Sequence, residues 1–200
     1  VRALKSCALA PVLLAALCIG EAQAAQENYD IDADHTFATF EIRHLGISTQ
    51  RGRFGNARGK VMLESEASAG NTDIVLDARS VSTGSEAMQK LLRGKDFFNV
   101  DEFPEIRYRG ESINYSDGKP DSIDGQLTLL GITRSVRLVV TGFDCTRKPF
   151  LVQLRCGLDA TATIRRSDFG MTSLINFTSD EVKLAIQSEA VLQSQPQKLE

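Results

Sequence analysis

Two histidines, His35 and His44, are the chain's only imidazoles and its first candidates for metal ligation or acid–base work. They stand nine positions apart, and on a regular strand that spacing sends them to opposite faces, so one ion could take both only across a bulge. Each is therefore read as a structural or rim group, and no metal is expected. Cys145 and Cys156 form the second pair. They read first as a disulfide closing a short loop through Pro149, since neither CxxC spacing nor a nearby histidine accompanies them. On the chain-entropy argument such a link is worth about 3 kcal/mol. Asp96, Asp101 and Asp168 could meet only through folding, and the simpler reading pairs Asp96 and Asp168 with Arg93 or Arg166, or with turn amides. No GxSxG elbow is present, and the glycines lack phosphate-binding spacing. Asp168-Phe169-Gly170 matches the kinase tripeptide in letters alone, without a catalytic loop, so Gly170 reads as a turn. No catalytic residue is assigned and no enzyme is expected; a hydrolase using Asp96 or His44 is the remote alternative.

The elements around these residues are mostly strands. In Gly125 to Val140, Leu127 and Leu129 alternate with polar positions, Gly131 and Thr133 punctuate, and Val136, Leu138 and Val140 resume the period of two. That is a hairpin with an apolar face, which needs further strands to cover it. Ala38, Phe40, Ile42 and His44 share one face of a strand from His35 to His44, and Ile74, Leu76 and Ala78 share one face of Asn71 to Ser80. Leu158, Ala160, Ala162 and Ile164 do so in Leu154 to Arg166, as do Val182, Leu184 and Ile186 in the last strand. Gly52, Gly55 and Gly59 mark sharp bends between Gln50 and Glu64. One amphipathic helix is expected from Thr83 to Arg93, with Thr83 and Glu86 at capping-box spacing and Gly94 ending it. About eight strands, one helix and regular turns predict an all-β antiparallel barrel, a single domain spanning 25–193. Its interior mixes large with small residues, and could be packed solid or hold one small ligand.

The first 24 residues have the basic start, apolar run and Ala-Gln-Ala ending of a cleaved secretory signal, and residues 194–200 read as a polar tail. Cleavage removes Cys7 and Cys18. A formal net charge of −3 with dispersed basic residues excludes a nucleic-acid surface.

Five stretches resemble the YceI-like, polyisoprenoid-binding periplasmic proteins: HTFATFEIRHLGIS from His35, LLRGKDFFNVDEFP from Leu91, GQLTLLGITRSVRL from Gly125, RSDFGM from Arg166 and DEVKLAI from Asp180. The resemblance implies an extended lipocalin-like barrel in the periplasm that holds a long isoprenoid tail, such as a quinone's, in an apolar lumen, with no cofactor required beyond that ligand. It turns the inward residues into lumen candidates: Ala38, Phe40, Ile42, Leu76, Leu127, Leu129, Val136, Leu138, Ala160, Ala162, Ile164, Leu184 and Ile186. His44, Leu91, Phe97 and Phe98 become mouth candidates beside the helix. Leu91 stands where family members often carry a basic residue or histidine, and Ser135 where they carry proline. Partners implied are an apolar isoprenoid lipid and a transient membrane or membrane-protein contact, for a monomer or homodimer. Leu129→Arg, aimed into the lumen, is expected to abolish bound lipid. The alternative function is a secreted β-domain with a filled core that acts through its outer surface on another protein.

Overall fold

The computed structural model describes residues 26–64, 69–147 and 153–193. The expected signal segment, Pro149 and the tail 194–200 lie outside the described residues. The strands are β1 (Gln26–Ile31), β2 (Phe37–His44), β3 (Ser48–Phe54), β4 (Arg58–Glu64), β5 (Ala69–Asp77), β6 (Glu105–Ser116), β7 (Lys119–Leu129), β8 (Ile132–Thr146), β9 (Arg155–Arg165) and β10 (Thr178–Leu192). One α-helix, α1 (Glu86–Arg93), stands between β5 and β6. β1 and β4 to β10 pair side by side, and β1 returns to β10, which closes an eight-stranded antiparallel barrel. β2 and β3 prolong β1 and β4 upward. β2 pairs with the first part of β10 and with β3, and Arg53 of β3 bridges Ser82 beyond the end of β5.

Local chemistry explains the two broken strands. The Asp32 carboxylate accepts from the Asp34 N–H at 3.1 Å, which turns Ala33–His35 into a 3-10 turn between β1 and β2. His35 therefore precedes β2, whereas the alternation alone places it on the strand. Asn56, at φ 51°, makes the second break, between β3 and β4. Two hairpins close through residue pairs that are both left-handed, Asp117-Gly118 and Leu130-Gly131. The second restarts the chain at Ile132, so both strands of that hairpin are longer than the sequence pattern suggests. The helix cap also moves: Ser85 Oγ accepts from the Met88 N–H at 3.4 Å, while Thr83 bonds Ser85.

Connectivity sends the β2–β3 turn, α1, the corner 94–104, the β7–β8 turn and segment 166–177 to one end, called here the upper end. The main core fills the barrel below them and includes Phe54, Phe97, Phe98, Ile113, Leu127, Leu138 and Phe169. A smaller cluster around Tyr29, Cys156 and Ala190 packs the lower end. The Cys145–Cys156 disulfide lies there, between residues directly opposite on β8 and β9.

Candidate functional site: an apolar cavity under a helical lid

Inside the barrel lies a cavity of about 460 Å³, within the roughly 300–1,000 Å³ span of small-molecule sites. Inward side chains of β6 to β8, such as Ile106, Ile113, Ile123, Leu127, Val136 and Leu138, line it and are buried. Those of β2, β9 and β10, such as Phe40, Ile42, Ile164, Leu184 and Ile186, line it as well and are partly accessible. The wall thus runs round both sides of the barrel, buried on the β6 to β8 side and partly accessible on the β2, β9 and β10 side. The alternation in the sequence marks both alike, since period two reports which face points inward and not what fills the interior.

At the upper end an aromatic cluster narrows the cavity. Phe98 meets Phe54 edge-on with ring centroids 4.9 Å apart, and Phe40 lies 5.7 Å from Phe54 and 6.2 Å from Phe98. Gly52 makes this possible, because a Cβ there would stand 2.3 Å from Phe40 Cζ. Gly52→Ala should therefore push the Phe40 ring into the cavity. We expect a cost of about 1–3 kcal/mol, visible as a thermal-melting shift of roughly 2–4 °C per kcal/mol, with reduced ligand content. An unchanged melting curve would show that the ring is not confined there.

The helix lies across this end as a lid. Arg93 ties its last turn down, with Nε donating to Arg79 O at 3.0 Å and Nη2 to Val81 O at 3.3 Å. No α1 residue is buried; Leu92 packs on the core, whereas Met88 and Leu91 line the cavity and are exposed. Exposed Leu174 and Phe177 line it too, so the opening lies between α1 and the loop 171–178.

The polar groups of the wall are unevenly placed. His44, Gln50, Arg51, Arg166 and Thr178 line the upper end, and among the described residues no carboxylate lines the cavity anywhere. Arg166 is 3% exposed and makes no ion pair among the described residues. Its Nε donates to Ser179 O, Nη1 to Met171 O and Ser173 O, and Nη2 to Thr178 Oγ1, at 2.7–3.1 Å. Burial holds its pKa below the ordinary guanidinium value. Asp180 anchors the same corner, accepting from Ser167 N–H at 2.9 Å and Ser167 Oγ at 2.8 Å, and these bonds hold its carboxyl below the usual range. A depressed folded pKa stabilises above the unfolded value near about 3.9 and is lost as pH falls through the folded one. Melts of the protein and of Asp180→Asn should therefore differ most near neutrality and converge as pH falls below about 4. A constant offset between them across that range would deny the carboxylate its part.

Most of the residues expected in the lumen and mouth do line this cavity. Ala160 and Ala162 do not: they point inward behind larger neighbours and belong to the core. Phe97 and Phe98 line it from inside, buried in the core, and are not at the rim. His44 and Leu91 are at the upper end. Lining residues not anticipated include Phe54, Met88, Leu174, Phe177 and Arg166. Asp96, Asp101 and Asp168 are exposed and outside the cavity, and Arg166 takes carbonyls where a pairing with Asp168 was expected. Asp32, His35 and Glu189 could converge on a metal, but Arg155 is already there, 2.5 Å from Asp32 and 3.7 Å from Glu189.

The YceI-like domain pattern matches residues 29–190, nearly all of the barrel. The chain belongs to the YceI-like family. A UPF0312 protein of Pectobacterium carotovorum subsp. carotovorum is 33% identical over 175 residues, covering 87% of this chain and 90% of that one. A UPF0312 protein of Yersinia pestis (strain Pestoides F) is 32% identical over 173 residues, covering 86% and 89%. Among solved structures, Burkholderia cenocepacia BcnA aligns with a TM-score of 0.68 at 18% identity, covering 80% of this chain and 99% of that one. A polyisoprenoid binding domain from Saccharophagus degradans aligns at 0.59 and 16% identity, covering 82% and 98%. These structural likenesses establish a shared YceI-like barrel.

Proposed function

We propose that this YceI-like protein is a non-enzymatic periplasmic carrier that holds a long isoprenoid, such as a quinone, by its tail in the cavity. The observation that carries the reading is the wall itself: apolar along its length, with its charged groups gathered at the open end. The polyisoprenoid binding of the Saccharophagus degradans domain supports the ligand class. His44, Gln50 and Thr178 stand where a head group would emerge, beside Arg51, whose Nε donates to Glu41 at 2.6 Å, and their donors suit a head group rich in hydrogen-bond acceptors.

Burying the tail removes apolar area from water at roughly 25 cal/mol per Å². In a cell the tail would otherwise lie dry in a bilayer, so the net gain on extraction is small and selectivity falls to cavity shape and the upper polar groups. Native mass spectrometry of protein purified from a bacterial periplasm, followed by organic extraction, tests this. A stoichiometric isoprenoid is expected. Folded protein that is ligand-free and refuses added isoprenoid would sink the reading.

A further inference from the structure

We infer that the upper rim docks on an anionic phospholipid surface, with the cavity mouth opening into it. Eight large apolar side chains are exposed among the described residues, and all but Val139 come from three segments of the upper end. The β2–β3 turn presents Leu45 and Ile47, the latter 79% exposed. Helix α1 adds Met88 and Leu91, and the loop after residue 170 adds Leu174, Ile175 and Phe177. The turn and that loop are joined, with Leu45 N–H donating to Phe177 O at 2.7 Å. Met88, Leu91, Leu174 and Phe177 also line the cavity, so the patch and the ligand space are continuous.

Two features favour lipid as the occupant. Leu45 and Leu174 sit at φ 52° and 55°, a conformation that asparagine or glycine adopts more cheaply, and both are half exposed. Leu174 also lines the cavity, but neither that nor backbone preference accounts for Leu45, which lies outside it; insertion into an apolar layer does. The charge is also lopsided. The protein is acidic overall, yet residues 42–50 and 171–179 contain no Asp or Glu. Arg43 bonds Gly46 O and Thr49 Oγ1, and among the described residues neither it nor Lys90 on α1 meets a carboxylate in an ion pair. The carboxylates of this end, Glu86, Asp96, Asp101, Glu102 and Asp168, lie outside the two apolar tips, so Arg43 and Lys90 are the charges set beside the tips' own leucines and isoleucines, an arrangement that anionic headgroups attract.

Docking would let a tail pass from bilayer to cavity without crossing water, and in that purpose it rests on the carrier reading. The test does not. The purified protein is floated with vesicles of phosphatidylethanolamine and phosphatidylglycerol at about 7:3, free of isoprenoid, and with pure phosphatidylcholine. Ile47→Asp/Ile175→Asp changes two exposed rim residues that do not line the cavity. The expected result is flotation with the anionic vesicles, weaker with phosphatidylcholine, and reduced at least roughly tenfold in the double variant. Equal flotation of the variant, or none of the parent, would overturn the inference. So would flotation only with native membranes and not after protease treatment, which points to a protein partner, or a dimer that the variant dissolves. Extraction of both proteins separates the two readings, because a variant that keeps its isoprenoid but no longer floats has lost docking alone. A parent that floats but never carries isoprenoid leaves docking standing and removes the carrier.

Discussion

Protein bearing Leu184→Arg should leave the periplasm folded and without its isoprenoid. Leu184 points into the cavity from β10 and stays partly accessible, outside the packed cluster of β6 to β8. An arginine there has open space in which to reach towards the mouth, so the barrel tolerates it. A tail in the same space would have to lie against a guanidinium with no counter-charge, for among the described residues no carboxylate lines the wall. Leaving such a charge unpaired in an apolar site costs several kcal/mol, and about 3 kcal/mol already means a more than 100-fold loss of bound ligand. Ala185→Arg is the control, one residue along on the exposed outer face, and should leave lipid content unchanged. Extraction and melting curves for both proteins check the pair. If Leu184→Arg remains folded and still carries isoprenoid, the wall has been put on the wrong side of the strand.

The same charge at Leu129, the choice that alternation suggests, is a poorer experiment. Leu129 also lines the cavity, but it is buried and belongs to the main core, so an arginine there threatens the fold itself and lipid loss would report unfolding. That contrast shows how far the sequence reaches. Period two placed Phe40, Leu129 and Leu184 on inward faces, and the turn at Asp117-Gly118 and the short helix follow from local chemistry. How deeply each inward residue is buried beside the cavity depends on how strands far apart in sequence curve, and no local pattern encodes that. The mouth was harder still. Leu174, Ile175 and Phe177 lie in a loop with no periodicity, and Arg166 looks in sequence like one more surface charge beside Arg165. Only their shared freedom from carboxylates could have drawn attention to residues 171–179.

Arg166→Met should release that loop. The guanidinium ties the carbonyls of Met171, Ser173 and Ser179 and the Thr178 hydroxyl, all within 3.1 Å, and thereby fixes both ends of the segment that carries Leu174 to Phe177. Methionine fills the volume and donates nothing. Hydrogen bonds from a charged group contribute about 1.5–3 kcal/mol each, and part of that returns as freed carbonyls find water, so a net loss of about 3 kcal/mol is expected. In a chain of this size that lowers the melting temperature by roughly 6–12 °C. Arg166→Lys should recover only part of it, because three donors on one nitrogen cannot span carbonyls arranged for a planar fork. A general loss of stability would raise exchange everywhere, so the decisive reading is local. Amide hydrogen exchange should accelerate at Met171, Phe177 and Thr178, whose N–H groups bond Arg166 O and Leu174 O, before it does in β6 to β8. Uniform acceleration would make Arg166 a general support of the barrel, whereas local opening makes it the residue that holds the mouth in shape.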